Sequence, residues 1–91
     1  MKKLYKFYWD CGRMGSLDGI FIADDKDVKK VIGKEVYFGE VLGKHSEIYG
    51  TLEEKDLKVI TDDHDFIKKC EEYGIGNIGF NPVQTYNENN E

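Results

Sequence analysis

Two stretches of this chain share one pattern. Ile22-Ala23-Asp24-Asp25-Lys26-Asp27-Val28 and Ile60-Thr61-Asp62-Asp63-His64-Asp65-Phe66 each pass from apolar residues through paired aspartates into helical apolar spacing, and Lys-Lys follows closely in both. Carboxylates accept backbone N–H bonds at a helix start and favour its dipole, so each stretch predicts a strand leading into a capped helix. Three carboxylates in four residues also make a donor set for a hard cation. Capping accounts for them with no further component, so no metal ligand is assigned. The match is short, and the shared physics of capping explains it without a duplication.

The rest of the chain is read around these two units. Leu4 to Cys11 alternates as a strand, with Tyr5, Phe7, Trp9 and Cys11 on one face and Lys6, Tyr8 and Asp10 on the other. Gly12 to Ser16 and Asp18-Gly19 are turn signals, and Ile20 to Ala23 is a second strand that pairs with the first. Asp24 or Asp25 caps a helix carrying Val28, Val31 and Ile32, and Gly33 ends it. Glu35 to Leu42 and Glu47 to Leu52 are strands three and four about the turn Gly43-Lys44-His45-Ser46, and Leu57 to Ile60 is the fifth. Thr61 or Asp62 caps the second helix, with Phe66, Ile67, Cys70 and Tyr73 as its apolar stripe and Gly74 at its end. Ile75 to Phe80 reads as a short edge strand.

The expected fold is α+β: one mostly antiparallel β-sheet of five to six strands with two helices packed on one face, in the order β-β-α-β-β-β-α-β. Residues 1–82 form a single domain, and residues 83–91 form a polar C-terminal tail, expected to be disordered. At 91 residues the core is small, and self-association is a common source of extra stability, so a homo-oligomer is expected.

The net charge of −5 argues against a duplex nucleic-acid binder, which needs a basic surface to neutralise phosphates. Cys11 and Cys70 have no metal-type spacing, and each is placed on an apolar face as a reduced, buried thiol. Met1-Lys2-Lys3 leads into Leu4-Tyr5-Lys6 rather than an apolar run, so neither a signal peptide nor a membrane segment is read, and the cytoplasm is the expected location. No cofactor is implied.

Two loops carry the candidate chemistry. Arg13, the only arginine among 13 basic residues, sits in Gly12-Arg13-Met14-Gly15. A planar fork between glycines suits phosphate or carboxylate, and it is equally an ordinary hairpin loop with a solvated arginine. Lys44, His45 and Ser46 offer ammonium, imidazole and hydroxyl donors in the second loop, which also reads as a plain hairpin turn. Tyr8, Trp9 and Tyr49 are candidates to stack on a flat ligand, although an indole on an apolar face is more often core. His64, at a helix start with no nucleophile assigned beside it, reads as a surface histidine.

At Trp9-Asp10-Cys11-Gly12-Arg13-Met14-Gly15 and at Val36-Tyr37-Phe38-Gly39-Glu40-Val41-Leu42-Gly43-Lys44-His45-Ser46-Glu47 the chain resembles small stand-alone proteins of bacteriophages and Gram-positive bacteria. The resemblance runs to Pro82 and brings no activity with it. It implies a complete protein and, in a phage setting in a host cytoplasm, an accessory protein against host defence. Some of those sequester nucleotide signals without cleaving them. The expected function is a non-catalytic binding module for a small anionic ligand, with a nucleotide as the leading candidate, held by Arg13, Lys44, His45 and Ser46. The rivals are an acidic interaction module docking on a basic host protein, and an enzyme using His45 with Ser46 or Glu47. The last is poorly supported, because Ser46 and Glu47 point to opposite faces of a strand.

Overall fold

The computed structural model describes residues 1–90; Glu91, the last residue of the expected tail, lies outside them. Strand alternation builds the first hairpin. β1 (Lys2–Asp10) and β2 (Ser16–Asp24) pair antiparallel throughout, from Lys2 opposite Asp24 to Asp10 opposite Ser16. A 3-10 turn, Gly12–Met14, joins them, closed by the Cys11 N–H donating to the Gly15 carbonyl at 2.8 Å. β2 begins earlier than its apolar run, because Ser16 to Gly19 pair with the end of β1 instead of turning.

The chain continues through α1 (Asp25–Val31), β3 (Glu35–Gly39), β4 (Ile48–Thr51), a 3-10 turn (Glu54–Asp56), β5 (Leu57–Thr61), α2 (His64–Glu72), β6 (Asn77–Gly79) and α3 (Pro82–Asn89). The fold is α+β. β5-β1-β2-β6 form a four-stranded antiparallel sheet, and β3-β4 form a separate two-stranded one.

Three features depart from the sequence reading. First, the strands do not form one sheet. β3 and β4, with Leu52 just past the end of β4, lay Val36, Ile48 and Leu52 against Tyr5, Phe7, Leu17 and Phe21, so the small hairpin packs face to face on the large sheet. An apolar face with period two is satisfied by face-on packing as well as by edge pairing, and alternation does not choose between them.

Second, the helices lie on opposite faces. Lys3 pairs with Asp25 of α1 at 3.8 Å, whereas Lys2, pointing the other way, pairs with Glu71 of α2 at 2.8 Å. Val28 and Val31 of α1 join the main core, while Ile67 and Cys70 of α2 are buried apart from it, where α2 packs on β1 and Leu4 is buried. The two repeated stretches differ by one residue in use. Asp24 caps α1 by accepting from the Lys26 N–H at 2.9 Å, but in the second unit the cap is Asp63, one position later, accepting from the Asp65 and Phe66 N–H groups. A β-bulge in β5 accompanies that shift. One residue of offset reverses which face a strand presents, so the same motif sends its helix to the other side. The expected stripe on α2 narrows accordingly: Phe66 is 51% exposed and Tyr73 is 74% exposed.

Third, the segment read as a polar tail is largely helical. Asn81 caps α3 by accepting from the Val83 and Gln84 N–H groups at 3.1 Å each, with Pro82 in the first turn. Pro82 and Val83 are buried, α3 packs on β3 and α1, and the Asn89 amide donates to the Tyr37 carbonyl at 2.8 Å. An Asn-Pro pair stops a strand, and with asparagine as the cap and proline in the first turn it equally starts a helix.

Candidate functional site

β1 outruns its neighbour. β5 pairs with β1 only from Leu4 to Phe7, so Tyr8 to Asp10 have no strand on that side. β4 lies below with one partner, β3, and its other edge free. Between these segments opens a cleft of about 580 Å³, lined on one wall by Tyr8 to Cys11 and Met14, on the other by Glu47 to Thr51, and at its end by Glu53, Lys55 and Asp56.

Trp9 forms the floor. Its indole packs edge-on to Phe7 (5.3 Å between ring centroids) and Phe38 (5.4 Å), and Phe38 meets Phe80 at 5.7 Å, so the floor is the open end of an aromatic cluster rooted in the core. Gly50 of β4 lies beside the ring: a Cβ there would sit 3.6 Å from the indole, in ordinary van der Waals contact. The indole N–H donates to Asp56 Oδ2 at 2.8 Å, and the same oxygen accepts from the Glu53 N–H at 2.9 Å. Glu53 and Asp56 thereby cap the 3-10 turn reciprocally. Trp9 is held by packing on one side and by a fixed carboxylate on the other.

Tyr8 (50% exposed) lies on the face of β1 opposite Trp9, and Tyr49 (59% exposed) lies on the face of β4 opposite Ile48, stacked on Tyr37 at 6.3 Å; both border the cleft. The polar lining is acidic: Asp10, Glu47, Glu53 and Asp56 stand against Lys55 alone, and Lys55 is engaged with Glu53 at 3.3 Å. Two neighbouring groups register this field. Partial desolvation and then the adjacent Glu47 carboxylate, with a contribution from Glu40, raise the Tyr37 hydroxyl above its ordinary pKa. Desolvation and then the charge of Asp10 raise the Cys11 thiol.

The three aromatics read from sequence, Tyr8, Trp9 and Tyr49, thus all border one cleft, although alternation along β1 and β4 sets Tyr8 and Tyr49 on faces turned away from the Trp9 ring. The four polar candidates do not line it. Arg13 is exposed on the 3-10 turn after β1. Lys44 and His45 are exposed and Ser46 half-buried in the loop over residues 40–47, which is longer than the expected four-residue turn because β3 ends at Gly39. His45 adopts a left-handed φ of 67° there. Among the described residues none of the four makes a side-chain hydrogen bond or ion pair. The two loops do share an end of the fold, since a Cβ on Gly15 would rest 3.8 Å from the Leu42 side chain.

The carboxylates are what the sequence reading missed. Glu53 and Asp56 stand between the fourth and fifth expected strands, a stretch given no role there; their i, i+3 spacing is the available signal for a reciprocal cap. Among the described residues no three His, Cys, Asp or Glu side chains gather as a metal set, and no helix is long and apolar enough to cross a membrane. No family model matches the chain, and no curated protein or solved structure matches it.

Both cysteines are free, but only Cys70 is buried; Cys11 falls just past β1 and is half-buried at the cleft. The expected result with a thiol reagent is slow labelling of Cys11 in the native protein, because a raised pKa reduces the thiolate fraction, and labelling of Cys70 only on unfolding. Mass spectrometry of timed samples checks this, and protection of Cys11 reports occupancy of the cleft.

Proposed function

We propose that the chain is a non-catalytic binding module that captures a positively charged group of a partner protein in the cleft. The observation that carries this reading is the Trp9 indole set among a carboxylate-rich lining, with the exposed Tyr8 and Tyr49 at its borders. Indole and phenol faces attract a cation through their quadrupoles, by about 0.5–2 kcal/mol depending on desolvation. The surrounding carboxylates add attraction and oppose an anion placed among them. Trp9 packs firmly enough to serve as a preformed floor, which lowers the ordering cost of binding.

Trp9 is the single tryptophan, so its fluorescence reads the site directly. Titration with arginine amide is expected to change its emission saturably, with an affinity that falls as salt rises. ADP at the same concentrations is expected to leave it unchanged.

A second reading rests on a different observation, the contact of Gly15 with Leu42 that brings the two donor loops to one end. In it a small anion, such as a nucleotide phosphate, is held at the rim by Arg13, Lys44, His45 and Ser46 while its ring enters the cleft. Saturable binding of ADP without arginine amide would favour it, and Arg13→Ala and His45→Ala would then each weaken ADP by about tenfold or more.

A further inference from the structure

The sheet edges of this fold are not equally protected. β5 carries Lys58 and a bulge, β6 is three residues long, and β3 is covered by α3. β4 has none of these devices. Its sequence Ile48-Tyr49-Gly50-Thr51 has no charge and no proline, it has one strand neighbour, and all four residues line the cleft. Proteins ordinarily blunt such an edge, because unpaired N–H and C=O groups recruit another strand.

The register fixes which groups are free. The Leu52 N–H donates to the Lys34 carbonyl at 3.0 Å, and antiparallel pairing puts Val36 opposite Gly50 as the next hydrogen-bonded pair. Tyr49 and Thr51 stand opposite Tyr37 and Glu35 in the alternate positions, so their backbone N–H and C=O groups point away from β3, along the open edge. Beside that edge lie Asp10, Glu53 and Asp56 and the Trp9 face.

We infer that the partner is an extended basic segment that joins β4 as a third strand, placing alternate lysine or arginine side chains among the cleft carboxylates. The inference rests on the cation-binding reading of the cleft and adds the conformation of what enters it. Main-chain bonds to Tyr49 and Thr51 supply affinity, and the carboxylates of the lining select basic residues at every second position. The occupied edge spans roughly 13 Å at 3.3 Å per residue, which suits a short linear segment.

The probe is an acetylated, amidated hexapeptide alternating lysine and valine, titrated against the intact protein by Trp9 fluorescence and calorimetry. Two further versions carry N-methyl groups on alternate amides, one on the lysines and one on the valines. Strand addition removes hydrogen bonds to β4 for only one set, so one version is expected to lose about tenfold or more and the other little. Thr51→Pro tests the protein side: it deletes an outward N–H without breaking a β3–β4 bond, and is expected to weaken the peptide while the melting temperature confirms the fold. If the peptide binds and both methylated versions bind equally, strand addition is overturned and the charge reading stands. If arginine amide binds and the peptide does not, strand addition is likewise overturned. If neither changes Trp9 emission, both readings fall.

Discussion

Gly19→Ala is expected to destabilise the protein by about 3 kcal/mol, a large share of the roughly 5–15 kcal/mol that such domains possess. Gly19 sits on the face of β2 that carries Leu17 and Phe21, yet the space where its side chain would stand is filled by backbone. A Cβ there would overlap the Phe80 carbonyl oxygen and lie 2.5 Å from the Phe80 nitrogen and 2.8 Å from its carbonyl carbon. Gly79, its partner across the strands, is equally close: a Cβ on it would meet the Asp18 carbonyl oxygen at 2.6 Å. This interlock lets the chain leave β6, drop across the sheet face and deliver Phe80 to Phe38 and Val83 to the core. Backbone cannot rotate aside as a side chain can, so β6, Phe80 and the start of α3 must shift together. Gly12→Ala is the control. Its Cβ would meet nothing within 4 Å, so it carries only the left-handed penalty of about 1–2 kcal/mol. Urea unfolding of the two variants decides; equal midpoints would show that the close approach at Gly19 is not required.

That same crossing explains why part of the fold was legible and part was not. Local chemistry was: the helices at Asp25–Val31 and His64–Glu72 and the edge strand at Asn77–Gly79 all lie in stretches read as such, because caps, spacing and glycine punctuation act over a few residues. Their assembly was not, because it turns on offsets of one residue. Asp63 rather than Asp62 caps α2, a bulge shifts β5, and the helix goes to the opposite face. The glycines at 19 and 79 read as turn and edge signals, although their use is to let two backbones touch. The site divides in the same way. Tyr8, Trp9 and Tyr49 could be recognised individually as large rings on strands with an open face. The acids that set the sign of the cleft come from three separate places, Asp10, Glu47 and the turn that holds Glu53 and Asp56, and only the tertiary fold brings them together.

Asp56→Ala is the substitution expected to join stability and site in one measurement. A single carboxylate oxygen, Oδ2, accepts from the Trp9 indole at 2.8 Å and from the Glu53 backbone at 2.9 Å, so it ties the cleft floor to the turn that starts β5. Bonds to a charged acceptor are each worth about 1.5–3 kcal/mol, and here water in the open cleft can partly replace them. The net loss is expected near 2 kcal/mol, or on the order of 10 °C in melting temperature for a domain of this size. Trp9 emission should change at the same time, because its N–H then meets solvent. Asp56→Asn keeps an acceptor oxygen in place and should recover part of the stability. Asp10→Ala removes a carboxylate from the same lining without touching the indole bond. Its only side-chain hydrogen bond among the described residues is with the Gly12 N–H at 2.9 Å, so its melting temperature should move far less. Both carboxylate deletions should weaken arginine amide if the cleft holds a cation. If Asp56→Ala matched wild type in stability and emission, Trp9 would not be anchored as the geometry has it; if Asp10→Ala left arginine amide affinity unchanged, the acidic lining would not be what selects the ligand.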